Sequence, residues 1–232
     1  MNLRKISPMI ASTALTAPSL HIDVPKLPLI DRSLARRVVN AYVDEASKLI
    51  RSVGIEPLPM EKLAEDSYIM CSDLETLLYI GRFNGGMVPP DEISKAMDIC
   101  YRKAVVSLHT HPIPLHIPTP EDIISSDMLG LVIECVLCRF DNQYARALCV
   151  KPKRSWYRVV RASEMVLEKI FENISRYVVV DRDGYPLLLP YPSIEEAKAI
   201  EEMFIVSVQS EAEVLVVEID LIYRQYSEKL YA

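Results

Sequence analysis

The sequence predicts an α/β (α+β) fold in which a mixed sheet is flanked by helices and followed by a small C-terminal α+β appendage. Segments with the helical spacing of apolar residues alternate with short apolar runs of strand length. Half of the 232 residues are hydrophobic, which is enough to bury a core. These observations indicate an extended leader over 1–32, a main domain over 33–160 and the appendage over 161–232.

The N-terminal part begins with a leader that contains four prolines and little periodicity. A helix is expected over residues 33–53, because its apolar residues follow a helical spacing. A turn with two prolines precedes a short helix expected around 60–64. The strand-like segments 68–71 and 76–80, separated by a Ser-Asp break, then predict a hairpin.

The middle of the chain alternates helix and strand. Pro90 opens a helix, since proline and acidic residues are favoured in a first turn. The apolar run 104–108 suits a central strand. Thr119 is expected to cap a helix that runs to about Leu129, with Asp122 at the third helical position, where a capping box has its acidic residue.

The C-terminal part is expected to contain more strands than helices. Predicted strands cover 131–139 and 144–150, with 156–160 as a further candidate. The appendage follows, with a helix over 162–175, a hairpin of 177–180 and 187–189, a helix opened by a capping box at Ser193, and a strand over 213–223. The apolar segments 177–180 and 214–219 would allow pairing between chains if they formed exposed edges, so an oligomer stays open.

The net charge and the cysteine content limit the possible functions and the cellular compartment. The net charge of −6 counts against broad nucleic-acid binding, and no apolar run is long enough to span a bilayer. Cys135 and Cys138 are three apart on a predicted strand, so their side chains face opposite sides and are expected to be two packed thiols. The five cysteines are interpreted as reduced, which predicts a cytoplasmic protein.

A candidate metal site follows the central strand. His109 and His111 share one face of the strand end, and Asp122 comes eleven residues after the second histidine. Imidazole and carboxylate suit Zn²⁺, and three protein ligands leave a fourth position for water. The pattern therefore indicates a hydrolytic zinc site, against the alternative that the histidines are simply polar residues at a strand end. His116, in the loop that follows, is expected to be exposed to solvent, with a substrate contact or a further group near the metal as the alternatives.

These residues resemble a known signature. The run His109-Thr-His111, seven residues that begin with proline, and Thr119-Pro-Glu-Asp122 is similar to the JAMM (MPN+) motif of the metallo-isopeptidases. Upstream, 88–97 followed by 104–112 resembles the helix-then-strand entry of the RadC branch of that superfamily. The likeness covers about residues 60–160.

The resemblance implies a JAMM/cytidine-deaminase-like core and a set of site residues. Zinc would be held by His109, His111 and Asp122, with one water. The hydroxyl of Thr119, where the family usually has serine, would help to stabilise the oxyanion. An upstream glutamate would act as general acid and base, and element order favours Glu65 over Glu75.

The function implied is zinc-dependent hydrolysis of amide or isopeptide bonds, with conjugates of ubiquitin-like modifiers as candidate protein substrates. A membrane or nucleic-acid partner is not expected. Two alternatives stay open, namely a non-catalytic JAMM-like binding or scaffold module and a RadC-like protein associated with nucleic acid.

Overall fold

The computed structural model describes residues 36, 58–59, 64–73, 76–84, 88–101, 103–111, 113, 115–139, 143–174, 178–180, 182–184, 186–188, 192–220 and 225–231. The strands in this part of the chain are β1 (Leu58–Pro59), β2 (Ala64–Cys71), β3 (Leu77–Asn84), β4 (Ala104–Thr110), β5 (Ile133–Arg139), β6 (Tyr144–Pro152), β7 (Val178–Val180), β8 (Pro186–Leu188), β9 (Ala212–Asp220) and β10 (Gln225–Tyr231). The helices are α1 (Pro90–Ile99), α2 (Pro120–Leu129), α3 (Trp156–Ile174) and α4 (Ile194–Val208).

The predicted mixed sheet with flanking helices is confirmed. Seven strands lie in the order β10-β9-β6-β5-β4-β2-β3, and a second sheet has the order β1-β8-β7. In the large sheet β4 and β5 are parallel, whereas the other neighbours are antiparallel. A parallel pair needs a crossover connection, and α2 provides it. The crossover brings the N-terminus of α2 close to the C-terminal end of β4.

The pleat of the sheet separates two cores. Leu108 of β4 and Cys135 of β5 face one side, in a buried apolar cluster built from sheet residues. The opposite side is covered by helices, and there Leu148 of β6 packs in a cluster that includes Trp156 of α3 and Phe204 of α4. Because successive strand residues alternate between faces, residues 107 and 109 of β4 lie on the side of the helices.

Local sequence signals correctly predicted several elements. The hairpin of β2 and β3, helices α1 and α2, and the hairpin of β7 and β8 all form. Both predicted capping boxes are present, at Thr119 of α2 and at Ser193 of α4. The helix expected over 33–53 and the leader over 1–32 lie outside the described residues, except for helical Arg36.

Two local predictions were wrong. The candidate strand over 156–160 is the first part of α3, because Trp156, Val159, Ser163 and Val166 form one buried helical face. The short helix expected around 60–64 is contradicted at Ala64, which begins β2, and its other residues lie outside the described part.

The C-terminal region extends the main sheet and does not form an appendage. Strand β9 pairs with β6 over nine residue pairs, and the boundary expected at residue 160 falls inside α3. The segment 214–219, considered as an exposed edge, is instead enclosed between β6 and β10. Strand β10, which was not predicted, forms this edge of the sheet, and β3 forms the other. Pairing between distant strands depends on topology, which local patterns do not reveal.

The expectation of reduced cysteines is wrong for four of the five. Cys71 is bonded to Cys100, and Cys135 is bonded to Cys149, its direct partner across β5 and β6. Cys138 is a buried free thiol on the opposite face from Cys135, as predicted. The argument from free thiols for a cytoplasmic location therefore does not hold. Separately, no helix in the described part of the chain is long and apolar enough to cross a membrane.

Candidate metal centre

Two imidazole rings meet at the end of β4. His109 is the sixth residue of this strand and His111 follows directly after its end. Both side chains are buried, with 6% of each residue exposed. Their Nε2 atoms are 3.1 Å apart. The two residues were predicted to share a face of the strand, and their Nε2 atoms do converge on one point.

Helix α2 brings a carboxylate to the same point. Asp122 is the third helical residue, and its Oδ2 lies 3.4 Å from His109 Nε2 and 3.6 Å from His111 Nε2. His109, His111 and Asp122 thus form a cluster that could hold a metal ion. The three residues of this predicted ligand set come together through the β4–α2 connection.

Thr119 orients the carboxylate. Its backbone N–H donates to Asp122 Oδ2 at 2.7 Å, and its hydroxyl donates to the same oxygen at 2.8 Å. In return, the Asp122 backbone N–H donates to the Thr119 hydroxyl at 3.3 Å, which completes the capping box. The contacts seen for this hydroxyl are with Asp122, so it fixes the orientation of this candidate ligand.

In each ring, the hydrogen bond made by Nδ1 determines which nitrogen carries the lone pair. His111 Nδ1 lies 2.6 Å from the carbonyl oxygen of Leu115, and because a carbonyl only accepts, Nδ1 is the protonated donor. His109 Nδ1 lies 3.0 Å from Glu134 Oε1 and donates to that carboxylate in the same way. A neutral imidazole protonated at Nδ1 has its lone pair on Nε2. In that neutral form, which is the form that binds a metal ion, both lone pairs would be directed at the point that Asp122 Oδ2 approaches.

The electrostatics of the cluster favour a cation. Burial lowers the pKa of His109, but the charge of Asp122 and the hydrogen bonds to Asp122 and Glu134 outweigh burial and hold that pKa well above its usual value. For Asp122, burial raises the pKa, whereas the interactions with His109 and His111 lower it far below the usual range. Three acceptor atoms in a buried space are stabilised by a positive charge between them.

Glu134 is a site residue that the sequence predictions missed. It is 1% exposed and is the second residue of β5, on the face of the sheet that carries His109. One carboxylate oxygen accepts from His109 and the other accepts a short hydrogen bond from the hydroxyl of Ser126 on α2. The available signal was a glutamate with apolar residues on both sides in a predicted strand. A buried carboxylate requires hydrogen-bond partners, so its position alone points to a polar network.

A cavity of about 160 Å³ opens beside His109 and Asp122. Glu65, the upstream glutamate that element order favours as general acid and base, lines this cavity. It lies two residues before Ser67 on β2, so both share one face, and Ser67 is the cross-strand partner of His109. The competing candidate, Glu75, lies outside the described residues.

The prediction for His116 was wrong. This side chain is fully buried instead of exposed, and its Nε2 forms a short contact with Glu201 Oε2 of α4. The residue lies in a loop of the sequence, but Leu115 and Ile117 on either side are buried in the cluster under the helices. A loop that packs into a core buries its polar residues as well.

No protein-family description, curated protein or solved structure matches this chain closely enough to show a relationship. The chemistry of the site is therefore inferred from the residues and their geometry.

Proposed function

We propose that the protein is a zinc-dependent hydrolase that cleaves amide or isopeptide bonds. The observation that carries this proposal is the convergence of His109 Nε2, His111 Nε2 and Asp122 Oδ2, with distances of 3.1, 3.4 and 3.6 Å between these atoms. The resemblance of the same residues to the JAMM motif supports the choice of reaction.

The spacing of the ligand atoms suits tetrahedral coordination. Bonds of about 2.0–2.1 Å in a tetrahedron separate ligand atoms by about 3.3–3.4 Å. The three observed distances bracket that value. An octahedral Mg²⁺ site with bonds of the same length would bring neighbouring ligand atoms to about 2.9 Å, and it would favour oxygen ligands. Two imidazoles and one carboxylate fit zinc better, with one position left for water.

Zinc bound by three protein ligands lowers the pKa of a coordinated water to about 7 and polarises a carbonyl oxygen. The protein residues would hold and move protons around that centre. Glu65, on the cavity wall, would accept the proton that the nucleophilic water releases and deliver it to the departing amine. Thr119, through its two hydrogen bonds to Asp122 Oδ2, would keep the ligand oxygen directed at the ion.

The size of the cavity is consistent with a substrate that inserts an extended segment. Its volume of about 160 Å³ is smaller than the pockets of about 300–1,000 Å³ that enclose drug-sized ligands, so only groups next to the scissile bond would enter. Its described lining contains three carboxylates, those of Glu65, Asp122 and Glu134, and no lysine or arginine. This composition suits an amine leaving group and disfavours a phosphate-rich ligand. The resemblance to the JAMM motif adds protein conjugates of small modifiers as the proposed substrates.

The test uses the full chain loaded with zinc. Hydrolysis would be followed on a fluorogenic peptide amide and on a model lysine isopeptide of a ubiquitin-like modifier. The Glu65→Gln variant should keep zinc and lose about 10²–10⁴-fold in kcat, because it removes the proton acceptor and retains the side-chain volume. Glu121→Gln, at an exposed position next to Asp122, is the matched control and should retain activity.

The possible outcomes separate the alternatives. Hydrolysis by the wild type that is lost with Glu65→Gln supports the proposal. Stoichiometric zinc without cleavage of either substrate would contradict it and would favour the binding or scaffold alternative. Absence of zinc from the wild type after reconstitution would overturn the metal site itself.

A further inference from the structure

A second group of charged side chains lies behind the metal centre. His116, Glu201 and Arg146 come from the loop after β4, from α4 and from β6. His116 is 0% exposed and Glu201 is 4% exposed, so these polar groups are withdrawn from water. Groups of this kind are costly to bury unless their charges and hydrogen bonds are matched.

The carboxylate of Glu201 contacts both His116 and Arg146. Its Oε2 accepts from His116 Nε2, and its Oε1 lies 3.2 Å from an Arg146 guanidinium nitrogen. The same guanidinium lies 3.5 Å from Glu218 of β9. The carboxylate of Glu201 therefore fixes the His116 ring from a helix that is 85 residues away along the chain.

The His116 ring is adjacent to the backbone that orients a metal ligand. The carbonyl of the preceding residue, Leu115, accepts the hydrogen bond from His111 Nδ1 at 2.6 Å. Leu115 and Ile117 are both buried in the apolar cluster that also contains Phe204 and Ile205 of α4. The loop is thus held to α4 by one polar contact and by apolar packing on both sides of it.

We propose that His116 and Glu201 are positioning residues of the metal centre, which act by fixing the Leu115 carbonyl and thereby the His111 ring. Helix α4, which sequence analysis assigned to a separate appendage, would then be part of the metal site. The inference rests on metal binding by the proposed hydrolase and does not depend on which bond is cleaved.

The test compares metal binding with stability in matched variants. Glu201→Gln keeps the size of the side chain and removes its charge. Ile205→Val, one helical turn further on, removes apolar packing from the same helix and leaves the polar contact in place. Because partners that orient a ligand contribute about 10–100-fold to metal affinity, Glu201→Gln should weaken zinc binding by about tenfold or more, as measured by competition with a chromophoric chelator. Ile205→Val should leave zinc affinity unchanged.

Cobalt spectra provide a readout that loss of stability alone would not change. The visible bands of Co²⁺-loaded protein depend on ligand geometry, so they should shift in Glu201→Gln and stay unchanged in Ile205→Val. If Glu201→Gln does not fold, the double variant Arg146→Met/Glu201→Leu replaces the buried pair by apolar groups, which is often tolerated. It leaves His116 without its carboxylate partner and should show the same loss of affinity.

The outcomes distinguish this inference from the proposed function. Zinc affinity and Co²⁺ spectra that match those of wild type in the folded Glu201 variants would overturn the inference and leave the hydrolase proposal intact. A wild-type protein that binds zinc and cleaves nothing would contradict the hydrolase proposal and leave the positioning role testable by the same measurements. A wild type that binds neither metal would overturn both.

Discussion

The substitution Glu134→Gln tests whether the buried carboxylate behind His109 strengthens metal binding. Glu134 is 1% exposed, and its two oxygens accept hydrogen bonds from His109 Nδ1 and the Ser126 hydroxyl. Glutamine has nearly the same volume and can still accept from Nδ1, so the main change is the loss of a negative charge. That charge makes the His109 ring a stronger donor towards an ion bound at Nε2.

The magnitude follows from the position of the carboxylate. The carboxylate lies across the imidazole ring from Nε2, so an ion held at Nε2 would be about 6 Å from it. At an effective dielectric constant of about 20, two unit charges at that distance attract by about 3 kcal/mol. The hydrogen bond that glutamine retains recovers part of this energy. We therefore expect zinc affinity to fall by about 10–100-fold, or about 1.4–2.7 kcal/mol.

Two assays should report the same number. Competition with a chromophoric chelator gives the ratio of the dissociation constants directly. The stabilisation that excess zinc confers on unfolding should fall by the corresponding free energy, since it depends on the logarithm of the ratio of zinc concentration to dissociation constant. The control is Glu168→Gln, at an exposed position on α3. A Glu134→Gln protein whose affinity is within about twofold of wild type would refute the role assigned to this carboxylate.

Two further predictions concern stability. Replacing both Cys71 and Cys100 by alanine should lower the free energy of unfolding by about 3–4 kcal/mol, since the disulfide closes a long loop, and an unchanged midpoint in urea would contradict this bond. Burial and the charge of Arg146 lower the pKa of His116, and together they outweigh the opposing effect of Glu201. As the pH falls below 6.5, the usual histidine pKa, the unfolded chain therefore takes up this proton before the folded protein does. The free energy of unfolding of wild type should therefore decrease from about pH 6.5 downward. In urea titrations with chelator present, the decrease should be shallower for His116→Gln. Equal dependence of the unfolding free energy on pH in both proteins would argue against a neutral, buried His116.

The sequence alone was sufficient to predict the elements that carry the ligands. Strand periodicity indicated that His109 and His111 share a face, and the capping box indicated that Asp122 starts a helix. These are local rules, in which residues two or three apart decide the geometry. The cluster of His109, His111 and Asp122, which could hold a metal ion, could therefore be predicted from the spacing together with a likeness to the JAMM motif.

The residues that support the ligands were decided by the tertiary structure. Glu134 meets His109 because β5 pairs in parallel with β4, and Glu201 meets His116 because α4 packs over the same face of the sheet. The addition of β9 to the sheet has the same origin. In each case the partners are far apart in sequence, and their contact depends on strand order and register. Local spacing has no information about that order, because it follows from how the whole chain buries its apolar surface.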